Sequence, residues 1–389
     1  MINYDDLLNE TLKSEKPSGI RRFFDIAKEM DDCIVLGVGE PDFKTPWSIR
    51  EAGIRSLEKG RTFYTSNSGL PELRSEIVKY LKRRFSVDYT VEETMVTVGG
   101  SEGIDACMRA VIRPGDEVII PMPSYVSYGP MARLAGAKVV EINTKAENGF
   151  RLTPQELKAA ITDKTKLLVF PYPCNPTGAV MRKEHLEQIA QVLRGTDILV
   201  MSDEIYAELT YGDCPHASIA AIEGMKERTI LINGFSKAYA MTGWRLGYAC
   251  APKPILTQML KIHQYGIMSA PTTSQYAAVV ALSQCDDAIE EMRGQYNLRR
   301  KFLTAELKRI GLPCYEAEGA FYVFADIRST GLSSEDFCEK LLYGKRVVVV
   351  PGTAFGDAGE GFVRISYSYS IDHIEQAIKR MQEFVEEIK

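Results

Sequence analysis

Between Met95 and Cys250, short runs rich in apolar and β-branched residues alternate with stretches of helical periodicity. The runs are Met95–Val98, Glu117–Ile120, Lys138–Ile142, Lys166–Phe170, Ile198–Ser202, Thr229–Asn233 and Arg245–Cys250. Several are apolar without a break, as in Leu167-Leu168-Val169-Phe170, the pattern of a strand covered on both faces. Most intervals between the runs are long enough for a crossover helix. The alternation predicts an α/β fold whose mostly parallel sheet has about seven strands flanked by helices.

After Leu282 the rhythm changes. Ile289, Met292, Tyr296, Phe302, Leu303 and Leu307 mark one side of a long amphipathic helix over Asp286–Ile310, which Gly311 and Pro313 stop. Strand-like Phe321–Ala325, a helix near Ser334–Leu342, strands Arg346–Val350 and Phe362–Tyr367, and a closing helix from Ile371 follow. This predicts a smaller α+β unit. The N-terminal segment is too short to fold alone and is expected to pack on it. The expected division is a large domain, 45–282, set between the halves of a discontinuous small domain, 1–44 and 283–389.

Composition narrows the function classes. The chain has 389 residues, 45 % of them apolar, enough to bury a large core. Net charge is 47 − 52 = −5. The densest basic run, Lys82-Arg83-Arg84, reads as a solvated helix end, so nucleic acid is not an expected partner. No apolar stretch approaches the ~20 residues needed to span a bilayer, and Met1–Glu15 is acidic and polar. A cytoplasmic protein without membrane contact is expected. The eight cysteines show no CxxC spacing and the four histidines no ligand spacing, so buried thiols and no metal are expected.

The strongest chemical signal is Gly234-Phe235-Ser236-Lys237-Ala238-Tyr239-Ala240-Met241-Thr242-Gly243-Trp244-Arg245. A lysine after a buried strand can bond to an aldehyde cofactor, and Ser236 and Arg245 can hold a phosphate. Upstream, Asp203 ends the strand of Met201-Ser202-Asp203-Glu204-Ile205-Tyr206, at the edge where α/β sheets bind ligands. It either pairs with a pyridinium nitrogen or caps a following helix. Pro173-Cys174-Asn175-Pro176-Thr177-Gly178 follows another strand; Asn175 offers an amide donor, or the segment is a plain turn. Val98-Gly99-Gly100-Ser101-Glu102-Gly103 opens a helix whose first N–H groups suit an anion. It is neither a GxGxxG loop nor a Walker motif. Tyr125 could lie over a flat ring or sit in the core. Arg364, in Phe362-Val363-Arg364-Ile365-Ser366-Tyr367, needs an anionic partner, either a substrate carboxylate or a structural acid.

These segments together resemble the class I/II aminotransferases, the pyridoxal-phosphate enzymes of the aspartate-aminotransferase fold. The likeness runs from Gly37-Val38-Gly39-Glu40-Pro41-Asp42 to the end: Asn-Pro-x-Gly, Asp-Glu-x-Tyr 28 residues later, Ser-Lys 34 after that, Gly-Trp-Arg, then a late arginine strand. The resemblance implies pyridoxal 5'-phosphate as cofactor and Lys237 as Schiff-base lysine and proton shuttle. By the same resemblance, Asp203 pairs with the ring nitrogen, Asn175 and Tyr206 hold the phenolic oxygen, and Tyr125 stacks on the ring. Gly100, Ser101, Glu102 through its backbone, Ser236 and Arg245 bind the phosphate. Arg364 takes the substrate α-carboxylate, with Asn175 and the Gly39 backbone assisting. Tyr64 matches a tyrosine that reaches the neighbouring subunit's phosphate, which implies a homodimer with shared sites. Like-charge repulsion from the arginines and the cofactor's ring cation then favours neutral Lys237.

The expected reaction moves the amino group of an L-amino acid to a 2-oxo acid such as 2-oxoglutarate. One aspartate-specific branch carries a lysine in the segment matching Gly100-Ser101-Glu102; this chain has none. Apolar Ile20, Phe23 and Phe355 are candidates for the side-chain pocket, with Arg21 and Arg22 as alternatives for an acidic substrate. Aromatic or other large neutral amino acids are therefore favoured. A β-C–S lyase acting on cystathionine-like substrates would need the same cofactor residues. A pyridoxal-phosphate-sensing regulator would need a DNA-binding domain ahead of Gly37-Val38-Gly39.

Overall fold

The computed structural model describes residues 2–15, 17, 19, 25–26 and 29–388. Its strands are β1 Ile34–Val35, β2 Thr94–Thr97, β3 Glu117–Met122, β4 Lys138–Asn143, β5 Thr165–Phe170, β6 Leu199–Asp203, β7 Thr229–Gly234, β8 Gly247–Cys250, β9 Tyr322–Asp326, β10 Val347–Val348, β11 Val350–Pro351 and β12 Phe362–Ser366. Seven of them form one sheet in the order β2-β8-β7-β6-β5-β3-β4. β3 to β7 pair in parallel. β8 runs antiparallel to both its neighbours.

The unbroken apolar runs find cover on two sides. Leu167 and Val169 of β5 enter one hydrophobic cluster with Met201 and Ile230, while Leu168 and Phe170 enter another with Val200 and Leu186. Successive side chains of a strand point to opposite faces, and each buried Leu or Val contributes about 2 kcal/mol. The direction of β8 also has a local cause. Parallel strands need a crossover of a dozen or more residues, usually helical. Residues 235–246 fold as turns with a 3-10 segment at Thr242–Trp244, so the chain comes straight back. The loop this makes carries Lys237 at the edge where β5, β6 and β7 end.

The C-terminal part contains the expected long helix, Asp286–Arg309, with Ile289, Met292, Tyr296, Leu303 and Leu307 buried. Arg299 and Arg300 are buried as well, Arg299 paired with Asp42. A three-stranded sheet has the order β11-β12-β9, antiparallel throughout. The run Arg346–Val350 does not form one strand. Arg346 adopts a left-handed φ of 57° to cap helix Ser334–Lys345. β10 then pairs with β1 while β11 pairs with β12, so the N-terminal segment is stitched to the C-terminal part by strand pairing. No helix among the described residues is long and apolar enough to cross a membrane.

Candidate active site

A cavity of about 490 Å³ opens where β5, β6 and β7 end. The structure gathers there Gly39, Gly100, Ser101, Tyr125, Asn175, Asp203, Tyr206, Ser236, Lys237, Arg245 and Arg364, residues drawn from seven separate segments of the sequence.

Lys237 donates from Nζ to the Gly39 carbonyl at 2.6 Å. Desolvation in the cleft, more than any neighbour, lowers its pKa to about 8; Arg364 and Arg245 push the same way and Glu40 and Asp203 oppose them. Burial is thus a larger cause of the shift toward the neutral amine than the repulsion from Arg364 and Arg245.

Asp203, at the tip of β6, is buried. Its Oδ2 accepts from Tyr128 Oη at 2.7 Å and its Oδ1 from the Ile205 amide at 3.2 Å. A turn follows it, so it caps no helix. Burial raises its pKa, and the hydrogen bonds from Tyr128 and Ile205 counter that rise only in part. A cation in the cavity would relieve this cost.

Arg364 is 3 % exposed. Its Nη1 donates to Asn175 Oδ1 at 2.8 Å and its Nη2 to the Gly37 carbonyl at 2.5 Å, while its Nε has no partner. The guanidinium lies over the rings of Tyr322 and Phe355, 4.4 and 4.7 Å from their centroids. No carboxylate pairs with it among the described residues. Because arginine can only donate, Asn175 must show it oxygen and keep its NH₂ free. Phe355 is buried behind the guanidinium and does not line the cavity, contrary to the side-chain pocket role expected for it.

At the opposite end, helix Gly99–Val111 presents its N-terminus beside Ser236 and Arg245. Gly99 sits at φ +74°, and a Cβ there would come within 2.8 Å of the Arg245 guanidinium, so only glycine lets the arginine lie across the helix start. The Glu102 side chain turns away from the cavity. Its carboxylate accepts from the Val98 amide and meets His263 Nδ1 at 2.5 Å. Tyr64 is 79 % exposed and lies outside this cavity. Ile20, Phe23, Arg21 and Arg22 lie outside the described residues.

The sequence reading missed Tyr128, Tyr322, Glu40 and Thr242, all on the cavity wall. Tyr128 opens helix Tyr128–Leu134, three residues after Tyr125; its ring meets the Tyr125 ring edge-on at 5.5 Å. No group of three or more His, Cys, Asp or Glu side chains that could hold a metal occurs among the described residues.

The arrangement is a polar cleft with an anion end, a buried acid, a poised amine and an arginine lacking its acid. Comparisons with known proteins agree on what it serves. The family description "Aminotransferase class I and II" matches residues 31–381. A putative aminotransferase of Bacillus subtilis is 50 % identical over 97 % of this chain and 98 % of its own. An aspartate aminotransferase of Pyrococcus abyssi is 46 % identical over 98 % and 99 %. The crystal structure of an aromatic aminotransferase from Pyrococcus horikoshii, 46 % identical, superposes with a TM-score of 0.90 over 94 % of this chain and 99 % of that one. The chain belongs to the class I and II aminotransferase family and is a transaminase. These likenesses do not favour the lyase reading.

Proposed function

We propose that this enzyme uses pyridoxal 5'-phosphate held on Lys237 to transfer the amino group of an aromatic or other large neutral L-amino acid to a 2-oxo acid, with 2-oxoglutarate as acceptor. The observation that carries the reading is Arg364: a buried guanidinium with neutral partners and a free Nε. A substrate α-carboxylate is the anion such a group lacks.

The residues fit the cofactor's parts. The open N-terminus of helix Gly99–Val111 at Gly100, Ser101 and Glu102, with Ser236 and Arg245, suits a phosphate. Asp203 suits a ring nitrogen that carries a proton, Tyr125 a ring face, and the free NH₂ of Asn175 with Tyr206 a phenolic oxygen. When bound, pyridoxal phosphate supplies an electron-withdrawing ring that stabilises negative charge at the substrate's Cα. Lys237 Nζ, whose pKa is lowered to about 8, would take the Cα proton and deliver it to the cofactor's aldehyde carbon, so that hydrolysis leaves the substrate as a 2-oxo acid. Arg364 and Asn175 fix the carboxylate end, which sets the Cα–H within reach of the amine.

Substrate preference rests on charge. The helix start carries no lysine, the Glu102 carboxylate is engaged by His263, and Glu40 lines the cavity; an acid there repels a side-chain carboxylate. The name of the Pyrococcus abyssi relative favours aspartate as the second reading. We include in the proposal a homodimer in which Tyr64 reaches the partner's site, a cytoplasmic location, and the division into 45–282 and 1–44 with 283–389. The β1–β10 pairing supports that division.

Half-reactions followed by cofactor absorbance test the preference. Phenylalanine, tyrosine or leucine should react at least tenfold faster than aspartate, and the reverse order overturns it. Lys237→Ala should abolish turnover, and borohydride capture in the wild type should label the peptide containing Lys237. A label elsewhere rejects the site.

A further inference from the structure

Tyr322 stands at the junction of two parts of the cleft. From β9 its hydroxyl lies 2.9 Å from the Tyr206 hydroxyl, and its ring lies 4.4 Å beneath the Arg364 guanidinium. The strand register explains the second contact. Ser366 is opposite Tyr322 and Arg364 opposite Phe324, so Tyr322 and Arg364 are diagonal neighbours on one face. Tyr206 and Tyr322 are 5 % and 1 % exposed, and each hydroxyl has the other as its hydrogen-bond partner among the described residues. Room for the Tyr322 hydroxyl exists because residue 39 is glycine; a Cβ there would come within 2.4 Å of it.

Two buried hydroxyls facing each other share one hydrogen bond, so one proton is left to point elsewhere. A phenolic oxygen bearing negative charge is the stronger acceptor and draws the Tyr206 proton. Tyr206 oxygen must then accept from Tyr322. A donor that itself accepts a hydrogen bond is a better donor.

We propose that Tyr322 is a positioning residue of the transamination site, whose hydroxyl donates to Tyr206 and so aims the Tyr206 proton at the cofactor's phenolic oxygen, while its ring supports Arg364. The inference rests on the reading that Tyr206 faces that oxygen. One side chain thereby links the cofactor end of the cleft to the carboxylate end, through its hydroxyl in one case and its ring face in the other.

The two roles separate by substitution of the holoenzyme. Donors aimed at the phenolic oxygen favour its anion, so losing one raises the pH at which the cofactor's visible absorbance titrates. Tyr206→Phe should raise that midpoint by about one unit and Tyr322→Phe by about half a unit. The double variant should match Tyr206→Phe alone, because the Tyr322 hydroxyl acts only through Tyr206. Tyr322→Phe keeps the ring, so KM for the amino acid should move less than twofold, whereas Tyr322→Leu should raise it about tenfold. A midpoint unmoved in Tyr206→Phe rejects the underlying reading of Tyr206. A midpoint moved in Tyr206→Phe but not in Tyr322→Phe, or shifts that add in the double variant, overturns the proposal alone. Equal KM changes for Tyr322→Phe and Tyr322→Leu overturn the ring's part in it. If Tyr322→Leu does not fold, Tyr322→Phe and the double variant still decide the hydroxyl's role.

Discussion

Arg84 and Arg364 are both arginines drawn in from the surface, and they are held in opposite ways. Arg84, at the end of helix Pro71–Phe85, donates from Nε to Glu208 Oε1 at 2.9 Å and from Nη2 to Oε2 of the same carboxylate, and Nη2 also reaches Glu290 at 3.1 Å. Tyr80 adds a hydrogen bond of 2.6 Å to Glu208. Charge meets charge, and the pairing raises the arginine's pKa. Arg364 meets two neutral oxygens and two ring faces, and burial lowers its pKa. Carbonyls, amides and ring faces orient a cation without neutralising it, and an un-neutralised buried charge is costly to the fold. The first site is complete within the chain. The second is complete only with an anion from outside.

Substitutions that exchange these outcomes would break the contrast. Arg364→Leu should lower kcat/KM about 1000-fold by removing the fork that orients the carboxylate, while the melting temperature of the cofactor-free protein stays the same or rises. A large fall in melting temperature with kcat/KM preserved would make Arg364 a structural cation like Arg84. Glu208→Ala should cost about 1–3 kcal/mol in denaturant unfolding by leaving Arg84 with Glu290 alone and the buried Tyr80 hydroxyl without its acceptor, with KM unaltered; a raised KM would tie that cluster to catalysis. The smallest effect is a pH signature at Lys237. Its pKa in the fold is about 8 against an ordinary 10.5. The unfolded chain therefore binds the proton more tightly, and stability rises with pH between those values. Cofactor-free Lys237→Met should be more stable than wild type below pH 8, with the advantage fading toward pH 10.5. An advantage independent of pH would refute burial of the amine as its cause.

How much of this could be read from sequence depends on whether the signal was local. Leu167-Leu168-Val169-Phe170 declares a two-faced strand in its own composition, and Asp203, Asn175 and Lys237 follow such strands directly, so fold and cleft were legible together. The side chains that the reading missed or misplaced are defined by distant partners. Arg84 was expected in solvent with Lys82 and Arg83, because its partner Glu208 is 124 positions away. Tyr322 reads as one more aromatic in a β-rich run until Tyr206, 116 positions earlier, comes beside it. Phe355 was expected in the side-chain pocket as an apolar residue; the Arg364 guanidinium, nine positions on, lies over its ring instead, 4.7 Å from the centroid. Glu102 was expected to act through its backbone alone, and the partner of its carboxylate, His263, lies 161 positions on.

The antiparallel return of β8 constrains how the lysine can work. Asn233 pairs with Tyr248 and Gly234 with Gly247, so residues 235–246 are pinned at both ends to the central sheet. The main chain at Lys237 is thereby moored, and what remains free to swing is its four-methylene stem. Delivery of a proton and release of the amine are then matters of side-chain torsions, with the scaffold standing still around a tether of fixed length.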